Sequence, residues 1–398
     1  MQIADRKFLS QVLRFSSALS FYFVGAGLTQ PIMSIYTSGF VGTSYLLVGA
    51  LISTTGLVKA GMNPVSGFLS DTVGRKRLST LGALTMSISL AVIALATSSS
   101  HLLVSFIFFG MGQAFFFLSM MTSMVEIAGP ARLALTLGIY EGGSGASILL
   151  GSALSGFVSK TFGMKAVFGV AATLTFTSFL ICRFLTVETL HRNGRSGGFA
   201  AFRGIRKLIS REYFTGMFCA FMYMYSHSLF TTVMPLYVIL SMGVPLEMVP
   251  LLFIGFSGTT SIGSFMAGPI SDRIGRRRPL AFGIGLLGLG FAALPFLRDL
   301  TSLVLASLSL GFGSGFFHPI ASAIIADVST PENRGKAYGF YRLARDSGSF
   351  AGPAVSGVVS SLFGVPALFG LSATLSLVGA LLASFFARET LHRINVKS

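Results

Sequence analysis

Long apolar stretches recur from one end of this chain to the other, and they constrain its fold more than any other feature. Twelve can be counted, at about 16–37, 44–69, 79–98, 102–126, 136–159, 165–186, 213–240, 247–271, 280–297, 301–326, 337–361 and 366–387. A helix of roughly 20 apolar residues crosses the hydrocarbon core of a bilayer. Lipid offers backbone N–H and C=O groups no partners, so each stretch is expected to be helical. Composition supports this: 52% of the 398 residues are hydrophobic and 11% charged, against about 25% charged in soluble domains. The 47 glycines suit helices that pack closely through small residues.

A net charge of +16 invites a nucleic-acid reading, but the placement of the cations argues against it. With the N-terminus inside, the outer loops hold only Lys160, Lys165 and Arg298, while Lys59, Arg342 and Arg345 fall within spans. The remaining Lys and Arg lie on inner loops, helix ends and tails, the asymmetry that sets orientation and puts both termini in the cytoplasm. The first span is too long for the apolar region of a cleavable signal. Cys182 and Cys219 sit in different spans and read as small apolar residues. No metal-ligand spacing or phosphate loop is visible, so no cofactor and no enzymatic activity are expected.

The chain also repeats itself at a constant offset of 201 residues. GFLSDTVGRKR at 67–77 answers GPISDRIGRRR at 268–278, and ETLHR at 188–192 answers ETLHR at 389–393. In the same register Tyr36 pairs with Tyr237, Glu126 with Asp327, Pro130 with Pro331, Tyr140 with Tyr341 and Gly151 with Gly352. Six spans per repeat give both halves the same topology, related by an axis along the membrane normal, with a site expected between them near the midplane. The expected organisation is a six-helix bundle over 1–187, a basic cytoplasmic linker over 188–212 and a second six-helix bundle over 213–398.

The loop after the second span of each half resembles the G-x-x-x-D-x-x-G-R-[RK] signature of the major facilitator superfamily. It stands as Gly67, Asp71, Gly74, Arg75 and Lys76, and again as Gly268, Asp272, Gly275, Arg276 and Arg277. The resemblance covers essentially the whole chain and implies an all-α membrane protein of two pseudo-symmetric six-helix bundles. It further implies that Asp71 faces the start of the eleventh span, where a helix N-terminus favours a carboxylate. Arg75 would pair with Glu126 and Arg276 with Asp327, holding the cytoplasmic side shut and breaking when it opens. Gly67 would allow a close helix approach and Gly74 a tight turn. Two antiporter marks are missing: Phe108, not an arginine, precedes Gly112, and Gly151 is followed by Ser152.

Ionisable groups inside spans are costly and point to function. They are Lys59, Glu141, His227, His318, Arg342, Arg345 and Asp346. Arg342 and Asp346, four apart, can pair on one helix face, and Arg342 also fits the gate network beside Asp71. Glu141, the counterpart of Arg342, could meet it across the axis. Asp346 and Glu141 are the expected proton carriers. Lys59, Arg345, Gln30, Asn63, Tyr36, His227, Tyr237 and His318 are the expected substrate-binding set.

From the resemblance, the chain is expected to be a monomeric secondary transporter of the cytoplasmic (inner) membrane, working by alternating access. Its partners would be a small-molecule substrate, protons and the lipid bilayer, with no nucleic acid. Proton-coupled efflux of small amphipathic compounds is the first expectation. Proton-coupled transport of a small organic anion, or uniport, is the alternative, because buried cations outnumber buried carboxylates.

Overall fold

The computed structural model describes residues 2–190, 210–329, 334–386 and 389. Its long helices are α1 (Gln2–Thr29), α2 (Met33–Val41), α3 (Tyr45–Val73), α4 (Arg75–Ala94), α5 (Ser99–Phe162), α6 (Met164–Phe184), α7 (Arg211–Met242), α8 (Val249–Ile274), α9 (Arg277–Ala293), α10 (Leu300–Val328), α11 (Arg334–Phe363) and α12 (Val365–Phe386). Among the described residues, nine helices are long and apolar enough to cross a membrane. The other three expected spans fall on the far part of α5, on α7 and on α11, which carry more polar residues. Most of the expected linker lies outside the described residues.

Local chemistry explains where these helices start and break. Ser44, Ser210 and Asp299 precede α3, α7 and α10, and each side chain accepts a backbone N–H from the first turn. The Ser302 N–H holds the Asp299 carboxyl below the usual carboxylate range. The first expected span is two helices rather than one, because the chain turns at 30–32, where Pro31 has no N–H to continue the ladder. Gly129 bends α5 with φ 57°, a conformation that suits glycine. The bend separates the two spans expected at 102–126 and 136–159.

Buried apolar side chains form two clusters, one drawn from residues 12–182 and one from 213–383. We call the helices around them the first bundle (α1–α6) and the second bundle (α7–α12). Within the first, α4 packs on α5 and α6; within the second, α8 packs on α10 and α9 on α12.

Between bundles, α3 lies along α11 and the far part of α5 along α8. Glycines permit these approaches: a Cβ at Gly49 would stand 2.9 Å from Gly357 Cα, and one at Gly56 2.6 Å from the Phe350 backbone N. A Cβ at Gly156 would stand 2.9 Å from the Glu247 carbonyl. These contacts sit toward the end opposite the basic loops, where Lys160 also pairs with Glu247 at 3.2 Å.

Toward the basic end, several glycines of the described residues are not closely packed. A Cβ at Gly142, Gly268 or Gly339 would meet nothing within 4 Å, and one at Gly67 would meet only Leu118 of its own bundle. Among the described residues, only the Leu118 side chain stands near Gly67, at 3.7 Å from an added Cβ.

Candidate functional site

Two kinds of polar assembly stand out, one repeated within each bundle and one made between bundles. The repeated assembly is built on the basic loops. Arg75, buried at the start of α4, places Nη2 2.8 Å from Glu126 and 3.3 Å from Asp71. In the second bundle Arg276 places Nε 3.2 Å from Asp327, and its Nη1 donates to Ser271 Oγ at 2.8 Å and to Asp272. Both pairs are formed in this conformation, and both partners of each pair belong to one bundle.

A further carboxylate completes each assembly. Glu188 accepts the backbone N–H groups of Arg75 at 3.0 Å and Lys76 at 3.2 Å. Glu389 accepts those of Arg276 at 2.8 Å and Arg277 at 3.4 Å. Both carboxylates sit on free N–H groups at a helix start, where the dipole favours negative charge. Gly74 and Gly275 have φ 109° and 94°, and a Cβ at either would strike the capping carboxylate. Sequence reasoning missed these glutamates, although the duplicated ETLHR was their signal. Asp71 is exposed and held by Arg75; its expected partner, the start of α11, lies partly outside the described residues.

The assembly between bundles lies deep on α3 and α11. Lys59 Nζ is 3.0 Å from Asp346 Oδ1, and the two side chains are 10% and 4% exposed. Asn63 Nδ2 donates to Asp346 Oδ2 at 2.6 Å, so both carboxylate oxygens are engaged. Lys59 also stands 5.6 Å from the centre of the Phe117 ring. This corrects the expected Arg342–Asp346 pair: the close packing of α3 on α11 brings Lys59 to Asp346 instead. Arg342 and Arg345 lie close enough to act on Asp346 electrostatically. Among the described residues, three cations thus gather around one carboxylate, an arrangement costly to bury and rarely kept without function.

The other expected site residues are dispersed. Gln30 lines a small cavity between the bundles. Tyr36 donates to the Ile93 carbonyl at 2.8 Å, and Tyr237 packs on Phe369, so both serve the cores of their bundles rather than a cavity. His227 lies between Tyr223 and Phe256. The side chains of Glu141 and His318 lie outside the described residues.

A helical membrane chain with two such matched loops has a clear family counterpart. The family model described as Major Facilitator Superfamily matches residues 15–258 and 216–397. The chain belongs to the major facilitator superfamily. It is a multi-pass membrane transporter of that family, related to drug-efflux members. It is 25% identical over 387 residues to "Multidrug resistance protein MdtG" of Dickeya zeae, covering 91% of each chain. It is 22% identical over 358 residues to "Multi-drug resistance efflux pump PmrA homolog" of Lactococcus lactis, covering 85% of this chain and 86% of the relative.

Solved structures share its fold. A nucleoside transporter, NupG (D323A mutant), superposes with TM-score 0.75 at 14% identity, covering 94% of this chain and 98% of the other. The human organic anion transporter MFSD10 does so with TM-score 0.73 at 16% identity, covering 94% and 99%.

Proposed function

We propose that this member of the superfamily is a proton-coupled secondary transporter that exports small amphipathic compounds by alternating access. The observation that carries the proposal is the buried Lys59–Asp346–Asn63 cluster between bundles. It joins α3 of the first bundle to α11 of the second, so it ties the bundles together in this conformation. Protonation of Asp346 removes its charge and its hold on Lys59; the proton is taken up with the packed end open to the outside, displaces the outgoing substrate, and is released to the cytoplasm when the Lys59–Asp346 tie re-forms in this conformation. With the basic loops in the cytoplasm, as the charge bias favours, this conformation is open to the inside, ready for cytoplasmic substrate. Export is supported by the relatives named for multidrug resistance and efflux.

The gathering of Lys59, Arg342 and Arg345 around Asp346 favours a second reading, in which the solute is an organic anion. The test is substrate-driven proton flux into proteoliposomes with a pH-sensitive dye inside. Wild type is expected to give a saturable signal and Asp346→Asn none. Equal flux from both proteins would remove Asp346 as the carrier. Anion transport that collapses in Lys59→Met would select the second reading.

A further inference from the structure

When the Lys59–Asp346 tie breaks, a buried charge loses its partner. Asp346 stays on α11 beside Arg342 and Arg345, whereas Lys59 stays on α3 in the first bundle. Among the described residues, the charged and titratable groups that act electrostatically on Lys59 are Asp346, Arg342 and Arg345 of α11, with His227 of α7 also near. All four belong to the second bundle. A buried ammonium left without a partner is costly, so Lys59 needs a group of its own bundle that can hold a cation.

Phe117 is placed to do so. Its ring centre lies 5.6 Å from Lys59 Nζ, inside the roughly 6 Å over which an aromatic face attracts a cation. Phe117 belongs to α5, and α3 is bonded to α5 on both sides of Lys59. Thr55 Oγ1 donates to the Phe106 carbonyl at 3.3 Å, and Ser66 Oγ to the Ala114 carbonyl at 2.8 Å. A Cβ at Gly110 would strike the Thr55 carbonyl, so the two helices are in close contact there. The ring is fixed by its own bundle: Tyr22 meets it in a T at 5.1 Å, and Phe116 and Phe23 stand at 5.5 and 5.6 Å. Gln113 donates to the Tyr22 hydroxyl at 2.8 Å and holds it in turn. Nothing in this contact depends on the second bundle, so it survives when the bundles move against each other.

We infer that Phe117 is the second seat of the Lys59 ammonium, a positioning residue whose ring face holds the charge while Asp346 is protonated. With Asp346 at 3.0 Å, the ammonium stands at the edge of the ring's reach. Freed from the carboxylate, it settles closer to the face. The proton on Asp346 comes from solvent and none leaves Lys59, so the tie opens with net uptake of one proton. The inference rests on the proton-coupled reading and adds the group that receives Lys59 during the cycle.

The test replaces Phe117 with 3,4,5-trifluorophenylalanine, which keeps the ring's shape and weakens the negative face that attracts a cation. Unfolding of the purified full-length protein is followed with a thiol-reactive dye, because Cys182 and Cys219 are free and buried. In Asp346→Asn, where Lys59 has lost its carboxylate, the fluorinated ring should lower Tm by about 2 °C. The loss should be smaller in wild type and absent in Lys59→Met. An equal loss in all three backgrounds, or none in Asp346→Asn, would overturn the inference. Glu141→Gln in Asp346→Asn should leave Tm unmoved; a loss matching that of the fluorinated ring would make a carboxylate the seat and overturn it too.

A second measurement needs no change at Asp346: the pH midpoint of the distance change between spin labels at the exposed Val73 and Ile274. The fluorinated ring should lower that midpoint by about one pH unit, tenfold in apparent proton affinity, because the protonated state frees Lys59 for the ring. An unmoved midpoint would overturn the inference. The expected Tm pattern in a protein without any pH response would leave the ring contact standing and overturn the coupling. A pH response with no ring effect in either measurement would do the reverse.

Discussion

The assemblies at the basic loops and the ion pair deep between the bundles differ in symmetry. Arg75, Asp71, Glu126 and Glu188 have counterparts in Arg276, Asp272, Asp327 and Glu389, each 201 residues on and making the corresponding contacts. Lys59, Asn63 and Asp346 have none: the positions related to them hold Thr260, Ser264 and Gly145. At the mirrored α5–α8 contact Gly145 stands against Ser261. What is duplicated holds each bundle together, and what is not duplicated lies between bundles, where the proposed ion-coupled cycle needs asymmetry.

The largest expected effect is on the unduplicated pair. Asp346→Asn leaves Lys59 buried without its carboxylate and should cost about 3–5 kcal/mol of stability. Lys59→Met with Asp346→Asn removes both charges and should restore most of that loss in thermal unfolding. A double variant no more stable than Asp346→Asn would break the view that these residues form one unit.

Next comes the packed end. Gly56→Leu drives a side chain into the α11 backbone and should cost about 3 kcal/mol. Its effect should appear as greater labelling of a cysteine placed in the closed α3–α11 seam. No gain in labelling would show that this contact does not hold the end shut.

The duplicated ties should behave as a matched and independent pair. Arg75→Gln and Arg276→Gln should each cost about 2 kcal/mol and, lying in separate bundles, should add. Strong non-additivity would mean that they communicate across the interface after all. Glu188→Gln and Glu389→Gln should each cost about 0.5–1 kcal/mol, as expected for a carboxylate lost from a helix start. Lys160→Met should leave melting unchanged, because that exposed pair is screened by solvent.

The sequence made the duplicated part legible and left the unduplicated part obscure. The resemblance of the twice-present loop to the family signature implied the pairing of Arg75 with Glu126 and, through the repeat register, of Arg276 with Asp327. Helix periodicity offered Arg342 as the partner of Asp346, since i and i+4 share a face. The true partner depends on how closely α3 approaches α11, which Gly49 and Gly56 decide from another part of the chain. The break at 30–32 was hidden within one continuous apolar run.

The most direct test of the proton-released tie is the distance between spin labels at Val73 and Ile274, exposed positions at the basic ends of α3 and α8. They can be labelled while Cys182 and Cys219 stay buried. In wild type, lowering the pH should shift the population from long to short distances as Asp346 is protonated and the basic end closes. Asp346→Asn should hold the short distance at every pH. A pH-driven shift that survives in Asp346→Asn, or a wild type that does not respond, would contradict the account.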